Sequence, residues 1–355
     1  MPKYHFSTPP PYRGVARVLG VLLGLSVLLN IILLVTDGDD GGDADAVEPA
    51  DEATEDPEAT ADEETAPVPD DGAADEGETP ATVTPVAAKV GEFTALEGLD
   101  APLKVNLSVT IDGVVEGRRS AWVTATTGRI MVWWLDLTTD LRAGDRLRML
   151  YEPGDSDDVR IAVLKYESQK MQQEYRAYYF RPEGATHGSY WDASGKEIPP
   201  RLEDPLIEDY VQITAVLGDG RDHKGWDFRA DTGTPVFAPR AAKVLRTTWN
   251  YKYNGNSLEL RFDDGTIARY LHLENVADGV TANSSVRAGQ KVATSGNTGR
   301  TNAPHLHYEV EQAGRIVDPG EYHGVSNRTL SGDDLDNFRE QVVRFDEALT
   351  TILGS

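Results

Sequence analysis

Hydrophobic and polar positions change their period several times along this chain. From Val18 to Val35 the run is apolar, broken only by Gly20, Gly24, Ser26 and Asn30. At about 1.5 Å per residue such a run covers most of a bilayer core, which predicts a transmembrane helix over 18–36. Residues 37–90 hold almost no large apolar side chain. They cannot bury enough surface to offset the entropy of ordering, so a disordered tether is expected. Between 100 and 200 the pattern predicts a small α+β accessory domain. Leu103 to Ile111 alternates as a strand before the turn at Asp112-Gly113, and Asp140 to Tyr151 reads as a turn entering a strand. Arg160–Tyr166 and Tyr175–Phe180 add two strands, Tyr190–Lys196 a hairpin-like turn, and Ser120–Ala125 a short helix. Trp133-Trp134 is assigned to the core.

Residues 201–324 alternate short β-rich runs with Gly, Asn and Asp turns. The runs are Val236-Phe237, Ala242–Thr248, Ser257–Phe262, Thr266–His272 and Lys291–Ala293, with Asp263-Asp264-Gly265 as a hairpin turn. Short strands with frequent turns indicate an antiparallel β-sandwich or open barrel. Residues 325–355 close the chain. Leu335, Phe338, Val342, Phe345, Leu349 and Ile352 recur at helical spacing behind Ser331, predicting an amphipathic helix packed on one of the β-domains. The fold class is therefore mainly β, with one membrane helix.

Charge sharpens this division. The net charge of −25 leaves no basic face for nucleic acid, which excludes that partner class. Residues 37–88 hold nineteen Asp and Glu and no Lys or Arg, so most of the imbalance sits in the tether. Lys3, Arg13 and Arg17 precede the apolar run, and Asp37, Asp39 and Asp40 follow it. The positive-inside rule then places 1–17 in the cytoplasm and the remainder outside it, in a periplasm. A cleaved signal peptide competes with the anchor, through Ala44-Asp45-Ala46. The absence of cysteine removes disulfides and thiolate metal sites.

The chemistry concentrates in residues 219–311, which contain four of the seven histidines: His223, His272, His305 and His307. Asp227 lies four residues after the first. Imidazoles and a carboxylate are metal donors. Two His and one Asp leave one corner of a tetrahedron open, as a catalytic zinc requires, and two His free to act on a substrate. His305 and His307 share one face of a strand, while Leu306, Tyr308 and Val310 point into packing. Tyr270, His272 and Glu274 alternate in the same way. Gly225 interrupts 223–227, which is placed on a loop entering a strand.

These residues resemble a LytM/lysostaphin-type zinc peptidase, the M23 peptidase family. The resemblance rests on His-Lys-Gly-Trp-Asp-Phe at 223–228, Gly-Thr-Pro-Val-Phe-Ala-Pro at 233–239, Tyr-Leu-His-Leu at 270–273, and the run from Gly296 to Val310 containing His-Leu-His. Gly289-Gln290 and Val317-Asp318-Pro319 also fit. It implies that His223, Asp227 and His307 hold zinc and that His272 and His305 are unliganded catalytic histidines. It departs from the family pattern in the tight Arg221-Asp222-His223 and in lacking a Gly shortly after Ala238-Pro239. Residues 100–200 resemble, more weakly, the domain preceding the peptidase in Gram-negative cell-wall endopeptidases of this family, through Gly144-Asp145-Arg146-Leu147, Arg176-Ala177-Tyr178 and Tyr190-Trp191-Asp192 with Gly195-Lys196. The implied activity is a membrane-anchored zinc endopeptidase cutting peptide crosslinks of peptidoglycan, a D,D-endopeptidase in style. The implied partners are peptidoglycan stem peptides, the cytoplasmic membrane and, left open, a protein regulator. The alternative is a non-catalytic module that binds peptidoglycan or activates a cell-wall amidase.

Overall fold

A computed structural model describes residues 82–86, 90–153, 159–217 and 223–354. The expected cytoplasmic segment, membrane span and most of the acidic tether lie outside the described residues. Among the described residues no helix is long and apolar enough to cross a membrane.

The first unit is built on a six-stranded antiparallel sheet in sequential order. Its elements are β1 (Thr82–Val86), β2 (Leu96–Pro102), α1 (Leu107–Asp112), α2 (Arg118–Met131), β3 (Arg146–Glu152), β4 (Arg160–Ser168), β5 (Gln173–Phe180) and β6 (Ser189–Trp191). The strand β1 thus lies inside the stretch read as tether.

The strand expected over Leu103–Ile111 is not formed. The chain leaves β2 at Pro102 and turns into α1, capped by the Asn106 side chain, which accepts from the Val109 N–H at 2.9 Å. Alternation was misleading because Val105 and Val109 are exposed, at 78% and 43%. Leu107, Thr110 and Ile111 are the buried set, which is helical spacing. The short helix expected at Ser120–Ala125 extends through Met131. Its threonines disguised it: Thr126 and Thr127 are buried and bond the Val159 carbonyl and Met149 Sδ.

The second unit carries β7 (Arg201–Leu202), β8 (Gln212–Ala215), β9 (Gly225–Arg229), β10 (Pro235–Phe237), β11 (Ala242–Thr247), α3 (Tyr251–Asn254), β12 (Asn256–Phe262) and β13 (Ile267–Val276). It continues with β14 (Ser285–Val286), β15 (Lys291–Ser295), β16 (His305–Gln312), β17 (Arg315–Val317) and α4 (Pro319–His323). Ten of these strands form one antiparallel sheet along β14-β11-β12-β13-β16-β9-β8, with β10, β15 and β17 joined at its sides. Leu258, Leu260, Ala268, Tyr270, Leu306, Tyr308 and Val310 cover its packed face and are fully buried. The opposite face carries polar and titratable side chains.

The chain then returns to the first unit. β18 (Val325–Ser326) pairs with β7, and α5 (Gly332–Leu353) lies on the six-stranded sheet. Phe338, Phe345 and Leu349 are buried there against Phe93, Leu150, Val163 and Tyr178. The other face of that sheet takes α1 and α2, through Leu107, Ile111, Val123, Ile130 and Met131. Trp133 and Trp134 pack against the core, Trp133 edge-on to Trp226 of the second unit at 6.4 Å between rings.

Candidate metal centre

Three neighbouring strands bring the site together. In register, Leu271 of β13 faces His307 of β16, and His307 faces Asp227 of β9. Directly opposed residues on adjacent strands hold their Cβ atoms about 5 Å apart, so Asp227 and His307 meet without any loop. Gly225 makes the approach possible. A Cβ there would lie 2.0 Å from the Tyr308 carbonyl oxygen. Beside Asp227, Trp226 donates its Nε1–H to Asp318 at 3.0 Å, and Asp318 caps α4 through the N–H groups of Gly320 and Glu321.

His223 lies just before β9, as the loop reading expects. Its Nε2 is 3.1 Å from Asp227 Oδ1 and 3.1 Å from His307 Nδ1, and His307 Nδ1 is 2.7 Å from the same oxygen. The outer nitrogens also meet acceptors. His223 Nδ1 is 3.0 Å from the Val216 carbonyl, and His307 Nε2 is 3.2 Å from Glu309 Oε1. Those oxygens only accept, as does Asp227 Oδ1 on the inner side; a cation among the inner atoms would leave each neutral ring its single N–H outward and a bare nitrogen inward. Two lone-pair nitrogens and a carboxylate oxygen then face one another with no hydrogen between them. A cation fits such a set. A tetrahedral ion with bonds of about 2.05 Å separates its ligand atoms by roughly 3.3 Å, close to what is found. The expected ligands His223, Asp227 and His307 are the one group among the described residues with this donor geometry.

In the metal-free cluster a proton takes that place. Burial opposes charge on His307, but the hydrogen bonds to Asp227 and Glu309 prevail and raise it to about 9. Burial likewise opposes charge on Asp227, yet His223 and His307 hold its carboxyl well below the ordinary range.

His305 and His272 flank the cluster. His305 Nδ1 sits 2.8 Å from the Ala303 carbonyl, and its Nε2 is 3.7 Å from Asp227 Oδ1. His272 Nδ1 sits 2.9 Å from the Thr298 carbonyl. Their ring centres are 4.8 Å apart. Both therefore also present a bare Nε2. Burial, then the neighbouring His305, lowers His272 to about 4, so it is neutral at physiological pH.

Simple alternation puts His272 on the face of Tyr270, and here the structure departs from the expectation. Tyr270 is fully buried on the packed face against Tyr308. His272 has φ +61 and sits where the pairing of β13 with β12 slips out of register. This bulge rotates it onto the histidine face. The loop that receives it is clamped: Thr298 Oγ1 donates to the Leu273 carbonyl at 2.7 Å and accepts from the Asn256 N–H at 2.9 Å.

Sequence reasoning missed Glu309 and Val216, whose oxygens lie against the outer nitrogens of His307 and His223. Glu309 had a visible signal, because it follows His307 by two on the same strand face. The Val216 carbonyl had none. Asn254 also lines a cavity of about 330 Å³ beside the site with Lys224, Trp249, Leu271, Glu309 and Ile316.

Comparison with known proteins agrees with the geometry. Residues 221–319 match the family model described as Peptidase family M23. Peptidoglycan DD-endopeptidase ShyC of Vibrio cholerae is 28% identical over 224 residues, covering 58% of this chain and 48% of that protein. Peptidoglycan DD-endopeptidase ShyB of the same organism is 28% identical over 256 residues, covering 68% and 58%. The chain thus spans about half the length of the curated relatives it matches. Among solved structures, a zinc containing peptidase from Vibrio cholerae aligns at 25% identity over 63% of this chain and 69% of that one, with a TM-score of 0.30.

Proposed function

Residues 221–319 form a peptidase family M23 domain, and from this premise we propose that the protein is a zinc metallo-endopeptidase that hydrolyses peptide crosslinks of peptidoglycan. The observation that carries the reading is the convergence of Asp227 Oδ1 and four imidazoles on one point of the sheet face. His223, Asp227 and His307 would hold the zinc. Bound there, zinc supplies Lewis acidity that polarises a carbonyl and activates water. His305 takes the proton of the attacking water on Nε2, its ring held by Ala303. The proton then reaches the leaving amine directly or through His272. With Nδ1–H spent on Thr298, His272 donates from Nε2 only after it has accepted a proton there.

The substrate class follows the relatives, which are named peptidoglycan DD-endopeptidases. Anchoring belongs to the same proposal. The apolar run at 18–36, preceded by basic residues and followed by an acidic tether, would hold the catalytic domain on the outer side of the cytoplasmic membrane.

Incubation of the purified chain with isolated sacculi tests the reading. Crosslinked muropeptide dimers are expected to become monomers, and chelator or His305→Ala should stop this. Intact crosslinks in the presence of bound zinc would transfer the protein to the non-catalytic class.

A further inference from the structure

On the open face of the second sheet, a row of charged side chains runs away from the metal cluster. His307, Glu309 and Glu311 follow one another along β16. Arg269 of β13 lies directly opposite Glu309, and Glu259 of β12 directly opposite Arg269. The guanidinium reaches all three carboxylates: Nη1 to Glu309 Oε2 at 3.3 Å, Nη2 to Glu311 Oε2 at 2.7 Å, and Nε to Glu259 Oε1 at 2.8 Å. Glu309 then uses its other oxygen, Oε1, for His307 Nε2.

We propose that Arg269 is a positioning residue for the metal centre, acting through Glu309 on His307. The two nitrogens of an imidazole are coupled, since a hydrogen held on one leaves the other bare. Glu309 holds the hydrogen on His307 Nε2 and so keeps Nδ1 open toward His223 and Asp227. Glu309 needs a counter-charge to stay there. Three carboxylates share this face, and among the described residues Arg269 alone touches all of them. Without it their mutual repulsion turns Glu309 away, and His307 loses the acceptor that fixes its tautomer and ring plane. Arg246 cannot substitute, because its two hydrogen bonds both go to Glu259. Lysine could supply the charge but not the planar fork that spans separate carboxylates.

This inference rests on the reading of His307 as a zinc ligand, and the test separates the two. Zinc affinity of the purified full chain would be measured by competition with a chromophoric chelator, beside a thermal melt of each metal-free variant. Asp227→Ala reports on the ligand reading itself. If it binds zinc like the parent, that reading fails whatever Arg269 does. Arg269→Gln is expected to weaken zinc binding by about 10- to 100-fold, the usual effect of losing a group behind a ligand. Arg269→Lys should fall between that and the parent, and it covers the case in which Arg269→Gln does not fold. Glu259→Gln removes a partner of Arg269 on the side away from His307, and should lower the melt while leaving zinc affinity within about threefold. In a Glu309→Gln background, Arg269→Gln should cause no further loss. Unchanged zinc affinity in both Arg269 variants, or an equal loss in Glu259→Gln, would reduce the ladder to sheet stabilisation and overturn the proposal.

Discussion

At the scale of single residues, the proposed function divides four imidazoles between holding an ion and moving a proton, and substitution should separate the roles. Asp227→Ala removes the oxygen shared by His223 and His307 and is expected to abolish both zinc binding and cleavage. His305→Ala and His272→Ala should keep zinc and lose about 10²- to 10⁴-fold in turnover, the range of a general acid–base contribution. Metal content and muropeptide release on the same samples check both. The pH dependence of metal uptake follows from His307. With its value raised to about 9, the metal-free chain carries this proton at neutral pH. Zinc must displace it, so about one proton should leave per ion, and affinity should climb roughly tenfold per pH unit up to about pH 9. Calorimetry in buffers of differing ionisation enthalpy measures this. The sign for folding runs with it. A raised value stabilises the metal-free fold fully below the ordinary 6.5, and that stability is lost as pH rises through about 9.

At the scale of elements, the site depends on how closely β9 lies against β16. Gly225→Ala would drive a Cβ into the Tyr308 carbonyl, which is backbone and cannot swing aside. The strand must shift, taking Asp227 away from His307. A lower thermal midpoint together with weaker zinc binding is expected, and a variant that melts earlier yet binds zinc normally would contradict it. The bulge in β13 acts in the opposite sense. It accepts a left-handed histidine, a conformation with a cost of about 1–3 kcal/mol, and thereby aims His272 at the cluster.

At the scale of the molecule, the two units are tied through Glu197, whose side chain is 1% exposed. It follows β6 and binds Arg201 of β7 at 3.0 Å and Arg328, on the way to α5, at 2.7 Å. Burial opposes its charge, but the two arginines hold its carboxyl below the ordinary value. Its contribution is therefore present above the ordinary carboxyl range and is lost as pH falls through the depressed value. Glu197→Gln leaves two partly exposed arginines without their anion and should cost about 1–3 kcal/mol at neutral pH. Urea denaturation should show that deficit near pH 7 and a much smaller one in acid.

The cluster of His223, Asp227, His272, His305 and His307, the hairpin at Asp263–Gly265 and the helix α5 were legible in the chain, because each is written in residue type and local period, while the division of the cluster into ligands and free histidines came from the family resemblance. Tertiary structure alone decided the rest. Whether Leu107 and Ile111 belong to a strand or a helix turned on which of their neighbours found solvent. The face of His272 turned on a register slip against β12. The sheet that α5 covers, and the acceptors behind His223 and His307, turned on strands far apart in sequence coming side by side. Local pattern records which side chains can be buried or can bind an ion. Backbone pairing between distant strands sets the register, and the register chooses which of them meet.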